Sequence, residues 1–285
     1  MNAQNANADK ITLTMIGCGK MGGAMMRGWL GANIIADSFI YTRSPIDADI
    51  RDHQNVSAHT DTATLKSNLA KTDVLILAVK PQGMAQLLSD IKDVIPDSLA
   101  IISVAAGLGH AFFAPHIGAN HPFIRVMPNT PCAIGCGMSG IYATAQVSAA
   151  AKAATEKLMQ AVGETLWIDD EGQMDGITAV SGSGPAYVFH FIEALAKGAE
   201  DIGFDKDSAM RLARQTVIGA AALAADQASI SAEELRINVT SPGGTTEAGL
   251  NVLMKADVNL EKLLRSTVEA ALNRGIALGK KTDAT

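Results

Sequence analysis

The sequence is poor in charged and aromatic residues. Charged residues make up 18% and aromatic residues 4% of the 285 positions, and the net charge is −6. This acidic balance excludes the electrostatic footprint of a nucleic-acid-binding protein. No apolar run reaches the ~18 residues of a membrane helix, so we expect neither nucleic acid nor membrane as a partner. Residues 1–10 are polar, which predicts a short disordered lead-in and no signal peptide.

Cysteine is equally sparse. Cys18, Cys132 and Cys136 are an odd count that suits a reducing compartment better than a disulfide framework, so we expect free thiols and a cytoplasmic protein. Cys132 and Cys136 lack the further ligands of a zinc site, and the six histidines show no metal-binding spacing. The sequence therefore predicts no metal site.

The first half of the chain alternates apolar strands with helices such as 81–92. Strands are predicted at 11–16, 39–42, 74–79, 99–106, 123–127, 141–144 and 165–169, the last two flanking a helix near 148–162. This alternation predicts a parallel sheet with right-handed crossovers. Ligands then bind at the carboxyl ends of the strands.

A glycine-rich turn follows the first strand. The letters G-C-G-K-M-G place Gly17, Gly19 and Gly22 in the pattern G-x-G-x-x-G, between a strand and a helix. The first glycine permits the tight turn, the second lets a pyrophosphate approach the backbone, and the third allows close packing of helix on strand. In this context the pattern favours a dinucleotide site over a plain turn.

The end of the second strand indicates which nicotinamide cofactor binds. Asp37 lies at the distance of the acid that binds ribose in NAD sites, but it precedes F-I-Y-T, and we interpret it as a turn residue. The strand ends instead in Thr42, Arg43 and Ser44, whose charge and hydroxyls suit a 2′-phosphate. We therefore expect NADPH, with NADH as the alternative. The competing interpretation of Arg43 is a solvated turn residue.

After about residue 171 the strand signal ends. Helices are predicted at 184–202, 206–227, 231–239, 246–256 and 259–280. The apolar stripe of the last one indicates packing in a core or across a subunit interface. The sequence thus predicts a Rossmann-type α/β domain over 11–171 and an all-helical domain over 172–285.

Two glycine-containing loops interrupt these helices, S-G-S-G-P-A-Y at 181–187 and T-S-P-G-G-T-T at 240–246. In the first, a small residue caps the next helix and Pro185 fits its first turn. In the second, Pro242 and two glycines break the helix, but this does not explain a serine and two threonines in one turn. A glycine turn at a helix start often binds an anion, so we expect a second anion site here.

Five motifs in this order resemble the pyrroline-5-carboxylate reductase family: G-C-G-K-M-G, A-V-K-P (78–81), R-V-M-P-N-T-P (125–131) and the two loops just described. The resemblance covers nearly the whole chain from about residue 10. It implies a Rossmann domain, a helical dimerisation domain, and reduction of Δ1-pyrroline-5-carboxylate to L-proline with NAD(P)H, the last step of proline biosynthesis. It also implies a homodimer through the helical domain, and dimers of this family commonly assemble into decamers.

The resemblance implies roles for individual residues. Cofactor contacts fall on Gly17, Gly19, Lys20, Met21, Gly22, Thr42, Arg43, Ser44, Val79, Lys80, Pro81, Ala106 near the nicotinamide, and Asn238. Substrate contacts fall on Ser241, Gly243, Gly244, Thr245 and Glu171, with the two glycines offering amide donors to the substrate carboxylate. Thr246 matches the threonine whose hydroxyl faces the ring nitrogen, and we assign it as the catalytic residue. The chain departs from the family pattern at Thr42, where asparagine is more usual.

Two alternatives have different requirements. A β-hydroxyacid dehydrogenase also joins a Rossmann domain to helices, but it uses a helix lysine shortly after a G-x-G turn. Here that stretch offers Val188 and no lysine until Lys197. A non-catalytic NADP(H)-binding protein does not need the second anion loop. Assays with hydroxy acids and with pyrroline-5-carboxylate discriminate among the three.

Overall fold

The computed structural model describes residues 10–255, 257 and 259–282. The chain divides into two compact units: the first runs to Ser183 and resumes at Ala271, and the second is Gly184–Ala270. The predicted lead-in lies outside the described residues, apart from Lys10. The predicted domain boundary at residue 171 stays a prediction.

The first unit contains an eight-stranded sheet and the helices that cover it. The strands, β1 to β8, are Ile11–Ile16, Ile35–Tyr41, Val56–His59, Val74–Leu77, Ala100–Ser103, Phe123–Met127, Gly137–Ala143 and Gly163–Trp167. Its complete α-helices, α1 to α7, are Lys20–Gly31, Ala48–Arg51, Leu65–Leu69, Met84–Ile91, His110–Ile117, Ala149–Gln160 and Met174–Ile177. A π-helical turn, Thr178–Gly182, follows α7.

The strand order is β3-β2-β1-β4-β5-β6-β7-β8. The first six strands in this order are parallel, β7 is antiparallel to β6, and β8 is parallel to β7. The order 3-2-1-4-5-6 is that of the Rossmann fold, whose ligand crevice lies at the carboxyl ends of the strands where the order reverses, here between β1 and β4. The parallel sheet is thus confirmed for six strands and wrong for β7 and β8, which run opposite to them.

The strand predictions need correction at the start of β2, at β5, which ends at Ser103 and not at residue 106, and at β3, which was not predicted. β2 begins at Ile35, so Asp37 is a strand residue that pairs with Thr12 and not a turn residue. It still lies away from the carboxyl end of β2, which is Tyr41. The short edge strand β3 has no apolar run in its sequence V-S-A-H, because its side chains are largely exposed, and so no pattern predicts it.

Central strands supply core residues to both faces of the sheet. Val74 and Ile76 belong to one apolar cluster, whereas Leu75 and Leu77 belong to the other, because alternate side chains of a strand point to opposite faces. The first cluster includes side chains of α1 and α6, and the second those of α3, α4 and α5. Burial on both faces explains why β4 is continuously apolar.

Helix α1 packs closely on the end of α6. A Cβ at Gly28 would lie 2.3 Å from Cγ1 of Val162, so glycine permits this approach. The buried indole of Trp29 donates from Nε1 to the carbonyl of Leu158 at 2.7 Å. That carbonyl belongs to the last turn of α6, where carbonyl groups receive no hydrogen bond from an amide of the same helix. The indole therefore satisfies a helix end inside the core.

Among its described residues, the second unit contains helices joined by turns and no strand. Its helices, α8 to α12, are Gly184–Asp201, Lys206–Asp226, Ala232–Asn238, Thr245–Leu253 and Leu260–Thr282, the last of which continues into the first unit. The five predicted helices are confirmed to within a few residues, and Pro185 lies in the first turn of α8 as predicted. None of the described helices is long and apolar enough to cross a bilayer.

Replacing Trp29 by phenylalanine tests the contact between α1 and α6. The Leu158 carbonyl then loses its donor in the core, so we expect the free energy of unfolding to fall by about 2 kcal/mol. Urea unfolding, followed by far-UV circular dichroism in all variants, measures the change. The matched control is Trp167→Phe, which also removes an indole donor, here to Glu156, but at a residue that is 36% exposed. We expect that control to lie within about 0.5 kcal/mol of the wild type, and equal losses in both variants would contradict the assignment.

Candidate functional site

The glycine turn joins β1 to α1 at the carboxyl edge of the sheet. Gly17 has φ +87°, and a Cβ there would lie 2.7 Å from the carbonyl oxygen of Ala78, so the turn requires glycine on both grounds. A Cβ at Gly22 would lie 3.3 Å from Sδ of Met15, as expected for a glycine that lets helix and strand pack closely. Burial raises the pKa of the Cys18 thiol, so the turn carries no thiolate charge.

Gly19 has neither of these constraints. Its φ is −79°, and a Cβ there would meet no atom within 4 Å. It is the exposed N-cap of α1 and has no side chain to cap the helix. The amides of Lys20, Met21 and Gly22 have no acceptor among the described residues. A glycine that the fold does not require, beside free donors, leaves room for a phosphate to approach the backbone.

Thr42, Arg43 and Ser44 directly follow β2. The Thr42 amide donates to the carbonyl of His59 at 3.0 Å, which joins the ends of β2 and β3. The Thr42 hydroxyl accepts from the Ser44 amide at 3.1 Å and shapes the turn. Arg43 is exposed and forms no ion pair with a described residue, so its guanidinium is available to an anion.

An ion-pair network connects the segment after this turn to α1. Nε of Arg27 lies 2.5 Å from Oδ2 of Asp49, and the same guanidinium binds Asp47. Its hydrogen bond to Asp49 raises the pKa of Arg27 and lowers the pKa of Asp49. Both acids follow Arg43 closely in the chain, so Arg27 offsets charges that would repel a phosphate. No local motif reveals this pairing, because its members lie on separate elements.

The remaining cofactor residues predicted in the first unit follow β4 and β5. Val79 is half-buried, Lys80 is exposed, and Pro81 begins a 3₁₀ turn. Ala106 is exposed and precedes Gly107, which has φ +76°. Since these segments continue neighbouring parallel strands, the first unit brings its predicted cofactor residues to one edge of the sheet.

Glu171 belongs to a charged cluster under this edge. Its Oε1 accepts from the His110 amide at 2.8 Å and lies 3.4 Å from Nη1 of Arg125. Nη2 of Arg125 lies 3.9 Å from Oδ1 of Asp175, and the Arg125 side chain is only 9% exposed. Arg125 is not among the predicted site residues, although a charge inside the apolar strand F-I-R-V-M is a signal. A buried guanidinium needs counter-charges nearby.

Asn129 joins two of the sequence motifs. Its Nδ2 donates to the carbonyl and to the hydroxyl of Ser181, at 3.1 and 3.2 Å. Its Oδ1 accepts from the Met138 amide at 2.9 Å. R-V-M-P-N-T-P and S-G-S-G-P-A-Y thus have a structural function, since together they hold the π-helical turn against the sheet.

The T-S-P-G-G-T-T turn lies in the second unit, between α10 and α11; α10 ends at Asn238. Gly243 has φ +70°, and its amide donates to Oε2 of Glu247 at 2.7 Å. The Gly244 amide donates to the carbonyl of Ser241 at 3.0 Å, and a Cβ at Gly244 would lie 2.9 Å from that oxygen. Both glycines are therefore required by the turn itself.

The free donors lie just beyond the glycines. Thr245 and Thr246 are the first two residues of α11 and are exposed. Neither their amides nor their hydroxyls have partners among the described residues. The expectation that Gly243 and Gly244 offer amides to an anion is corrected, because the Gly243 amide already donates to Glu247 of α11 and the Gly244 amide to Ser241. The donors at this helix start are those of the two threonines.

The cysteines and acids of the described residues form no cluster that could hold a metal ion. Cys18, Cys132 and Cys136 are free thiols, of which Cys136 is exposed. Burial raises the pKa of Cys132 and keeps it protonated.

Two family models match the chain. Residues 171–278 match the family described as pyrroline-5-carboxylate reductase dimerisation. Residues 12–107 match the one described as coenzyme F420-dependent NADP oxidoreductase. The two matches fall on the helical part and on the glycine-turn part of the chain.

Relatives extend the match over most of the length. A pyrroline-5-carboxylate reductase of Pseudomonas aeruginosa is 40% identical over 75% of this chain and 77% of its own. That of Haemophilus influenzae is 35% identical over 92% of this chain and 95% of its own. The chain belongs to the pyrroline-5-carboxylate reductase family. The family predicted from the five motifs is thereby confirmed.

Solved structures of the family share the fold. The enzyme of Coxiella burnetii is 33% identical, with a TM-score of 0.87 over 94% of this chain and 98% of its own. The Plasmodium falciparum enzyme, solved with NADP bound, is 29% identical, with a TM-score of 0.78 over 95% of this chain and 99% of its own. The Rossmann-type domain, the helical dimerisation domain and the class of NAD(P)H-dependent oxidoreductase are thus established.

Gly19→Ala tests the open position in the glycine turn. We expect an unchanged Tm, because the added methyl group meets no atom, but a Kd about tenfold higher for NADPH and NADH alike. Titration of the reduced cofactor's fluorescence measures both constants. Gly31→Ala is the matched control, since its Cβ also meets no atom within 4 Å, at the other end of α1. Wild-type affinity in Gly19→Ala would show that no phosphate approaches there.

Proposed function

We propose that this chain reduces Δ1-pyrroline-5-carboxylate to L-proline with NAD(P)H, the reaction of its family, through the residues described above. The T-S-P-G-G-T-T turn carries the substrate half of the proposal. It ends in a helix start whose two threonines offer amides and hydroxyls that lack partners among the described residues. Such a group of donors suits a small carboxylate.

The cofactor binds along the carboxyl ends of β1, β2, β4 and β5. The donors at the start of α1 would hold the pyrophosphate, for which Gly19 leaves space, and Arg43, with the hydroxyls of Thr42 and Ser44, would hold the adenosine phosphate. Val79, Lys80 and Pro81 continue the site towards Ala106 and the nicotinamide. When bound, the reduced nicotinamide supplies the hydride. The contact from Asn238 stays a prediction.

NADPH is the preferred form in this proposal. Arg43 is exposed and without an ion pair among the described residues, and Arg27 neutralises the nearby acids. A 2′-phosphate therefore meets uncompensated positive charge. The one acid at the expected sequence distance, Asp37, lies inside β2, away from the ribose end.

The substrate carboxylate is held by Ser241 and Thr245, while Gly243 and Gly244 shape the turn. Thr246 directs its hydroxyl at the ring nitrogen. The carbon of a protonated cyclic imine accepts hydride directly, and the nitrogen becomes the secondary amine of proline. The protein must therefore orient the ring and hold or relay one proton at nitrogen, for which a hydroxyl is sufficient.

The alternative function, a hydroxyacid dehydrogenase, is disfavoured because the first lysine after the G-x-G turn, Lys197, is held in its protonated form. Nζ of Lys197 in α8 is exposed and lies 2.7 Å from Oδ1 of Asp201. That hydrogen bond raises the pKa of Lys197, which keeps the ammonium protonated and unsuited to accept a proton from an alcohol. Turnover of pyrroline-5-carboxylate, followed by loss of NADPH absorbance, separates the reductase from a non-catalytic binder.

The helical domain belongs to a dimerisation family, so the protein is an oligomer. Its substrate is a small molecule, in keeping with its family. The homodimer is supported by large apolar side chains exposed on the second unit, namely Val188, Phe189, Phe191, Leu195, Leu212, Ile218 and Leu223. Assembly into a decamer stays a prediction. A cytoplasmic location is supported by the free thiols.

Arg43→Glu tests the phosphate assignment. The variant places a negative charge where we propose the 2′-phosphate binds, so we expect KM for NADPH to rise on the order of 100-fold and KM for NADH to change less than about fivefold. Steady-state kinetics with both cofactors measure the ratio. Lys66→Glu, on α3, controls for the change in net charge. Equal losses with both cofactors would remove the assignment.

Thr246→Ala tests the catalytic hydroxyl. Without the group that faces the ring nitrogen, we expect kcat/KM for pyrroline-5-carboxylate to fall by roughly 100-fold. Thr246→Ser keeps the hydroxyl and should recover most of this loss. Both are measured by NADPH absorbance at saturating cofactor. An alanine variant as active as the serine variant would show that the hydroxyl has no role.

A further inference from the structure

The turn between β5 and α5, residues 104–109, carries Ala106 and ends at a helix that lacks a cap of its own. At one end, the Ser103 hydroxyl accepts from the Ala105 amide at 3.3 Å. At the other end, Gly109 is the N-cap of α5 and has no side chain with which to cap it. We call residues 104–109 the nicotinamide turn, because Ala106 is proposed to lie near the nicotinamide.

Glu171 supplies the missing cap from a distant part of the chain. Its Oε1 accepts from the His110 amide, the first of α5, at 2.8 Å. A Cβ at Gly109 would lie 3.0 Å from the same oxygen, so a capping side chain and the carboxylate would compete for one space. A carboxylate is favoured there, because the helix N-terminus is the positive end of the helix dipole.

Arg125 keeps this carboxylate in place. Its Nη1 lies 3.4 Å from Oε1 of Glu171, and its other acidic neighbour, Asp175, is farther away at 3.9 Å. Since the arginine is almost fully buried on β6, withdrawal of Glu171 would leave a buried cation with one distant counter-charge. The position of Glu171 is therefore set by the sheet.

The other side of the nicotinamide turn is also in contact. A Cβ at Gly279 on α12 would lie 3.5 Å from the carbonyl oxygen of Gly107, and one at Gly275 would lie 3.6 Å from Oδ1 of Asp175. The same helix thus packs on the turn and on the charged cluster. The turn has little freedom as long as the start of α5 is fixed.

We propose that Glu171 is a positioning residue: together with Arg125 it fixes the start of α5, and through it the place of Ala106 in the cofactor site. The inference rests on the proposed place of the nicotinamide. It assigns Glu171 a role other than the substrate contact expected from the sequence. Hydride transfer is sensitive to such positioning, because a displacement of about 1 Å can cost on the order of 100-fold in rate.

Three variants test the inference. Glu171→Ala removes the cap, and we expect kcat to fall by roughly 10- to 100-fold with a smaller change in KM for pyrroline-5-carboxylate. Glu171→Gln keeps an oxygen acceptor and should retain a larger share of kcat. In Glu171→Ala/Gly109→Ser, the space is free and the serine hydroxyl caps α5 instead, so kcat should recover towards that of the wild type. Glu164→Ala, on the exposed part of β8, is the control.

A second readout needs neither cofactor nor turnover. Hydrogen–deuterium exchange of the cofactor-free protein should be faster over residues 105–112 in Glu171→Ala than in the wild type. It should return to the wild-type rate in the double variant. The strands of the sheet should exchange at wild-type rates, which separates local loosening of the turn and of α5 from misfolding.

The outcomes distinguish the two proposals. If the wild type does not turn over pyrroline-5-carboxylate, the proposed function fails, whatever the exchange data show. If the wild type is active and Glu171→Ala keeps its kcat, the positioning role alone is overturned. It is equally overturned if Glu171→Gln and the double variant stay as impaired as Glu171→Ala with a raised KM for the imine, because Glu171 then contacts the substrate.

Discussion

The close approach of the β1–α1 turn to the end of β4 is the constraint on which the cofactor edge depends. The carbonyl of Ala78 occupies the space that any side chain at Gly17 would need, and the backbone there has a positive φ. Because the turn is this tight, α1 starts directly above the end of β1. Its free amides then face the crevice where the strand order reverses.

The rest of the edge follows from the ends of neighbouring strands. β2 and β3 stop together and present Thr42 and Arg43, and the segment after them is connected to α1 by Arg27. β5 stops before the turn that carries Ala106. The segments that follow these strands are short, and each is fixed by a contact with a neighbouring strand or helix.

Much of the fold could be predicted, because burial on both faces leaves long apolar runs such as V-L-I-L. The helices of the second unit could also be predicted, because apolar residues recur at helical spacing and glycine-containing loops separate the helices. The edge strand β3 could not, since exposure removes the apolar signal. The direction of β7 could not, because an apolar strand has the same pattern in a parallel and an antiparallel pair.

The candidate site divides in a similar way. Glycine positions such as Gly17 and Gly22 could be located from the sequence, because their constraint lies in the local backbone. The partners of Arg27 and Glu171 could not, since each pair joins segments that are distant in the chain and carries no spacing rule. The acceptors of the Gly243 and Gly244 amides could not be predicted either, because Glu247 and Ser241 reach these amides only through the conformation of the folded loop.

The bond from the Gly243 amide to Glu247 has a consequence for the entropy of binding. A glycine-rich turn that orders itself only around its ligand loses conformational freedom at that moment, and the loss subtracts from affinity. Here the carboxylate of Glu247 on α11 holds Gly243, the residue of the turn with a positive φ, in the ligand-free protein. A small imine has few atoms with which to offset an ordering cost, and at the proposed substrate turn it would meet donors that are already ordered.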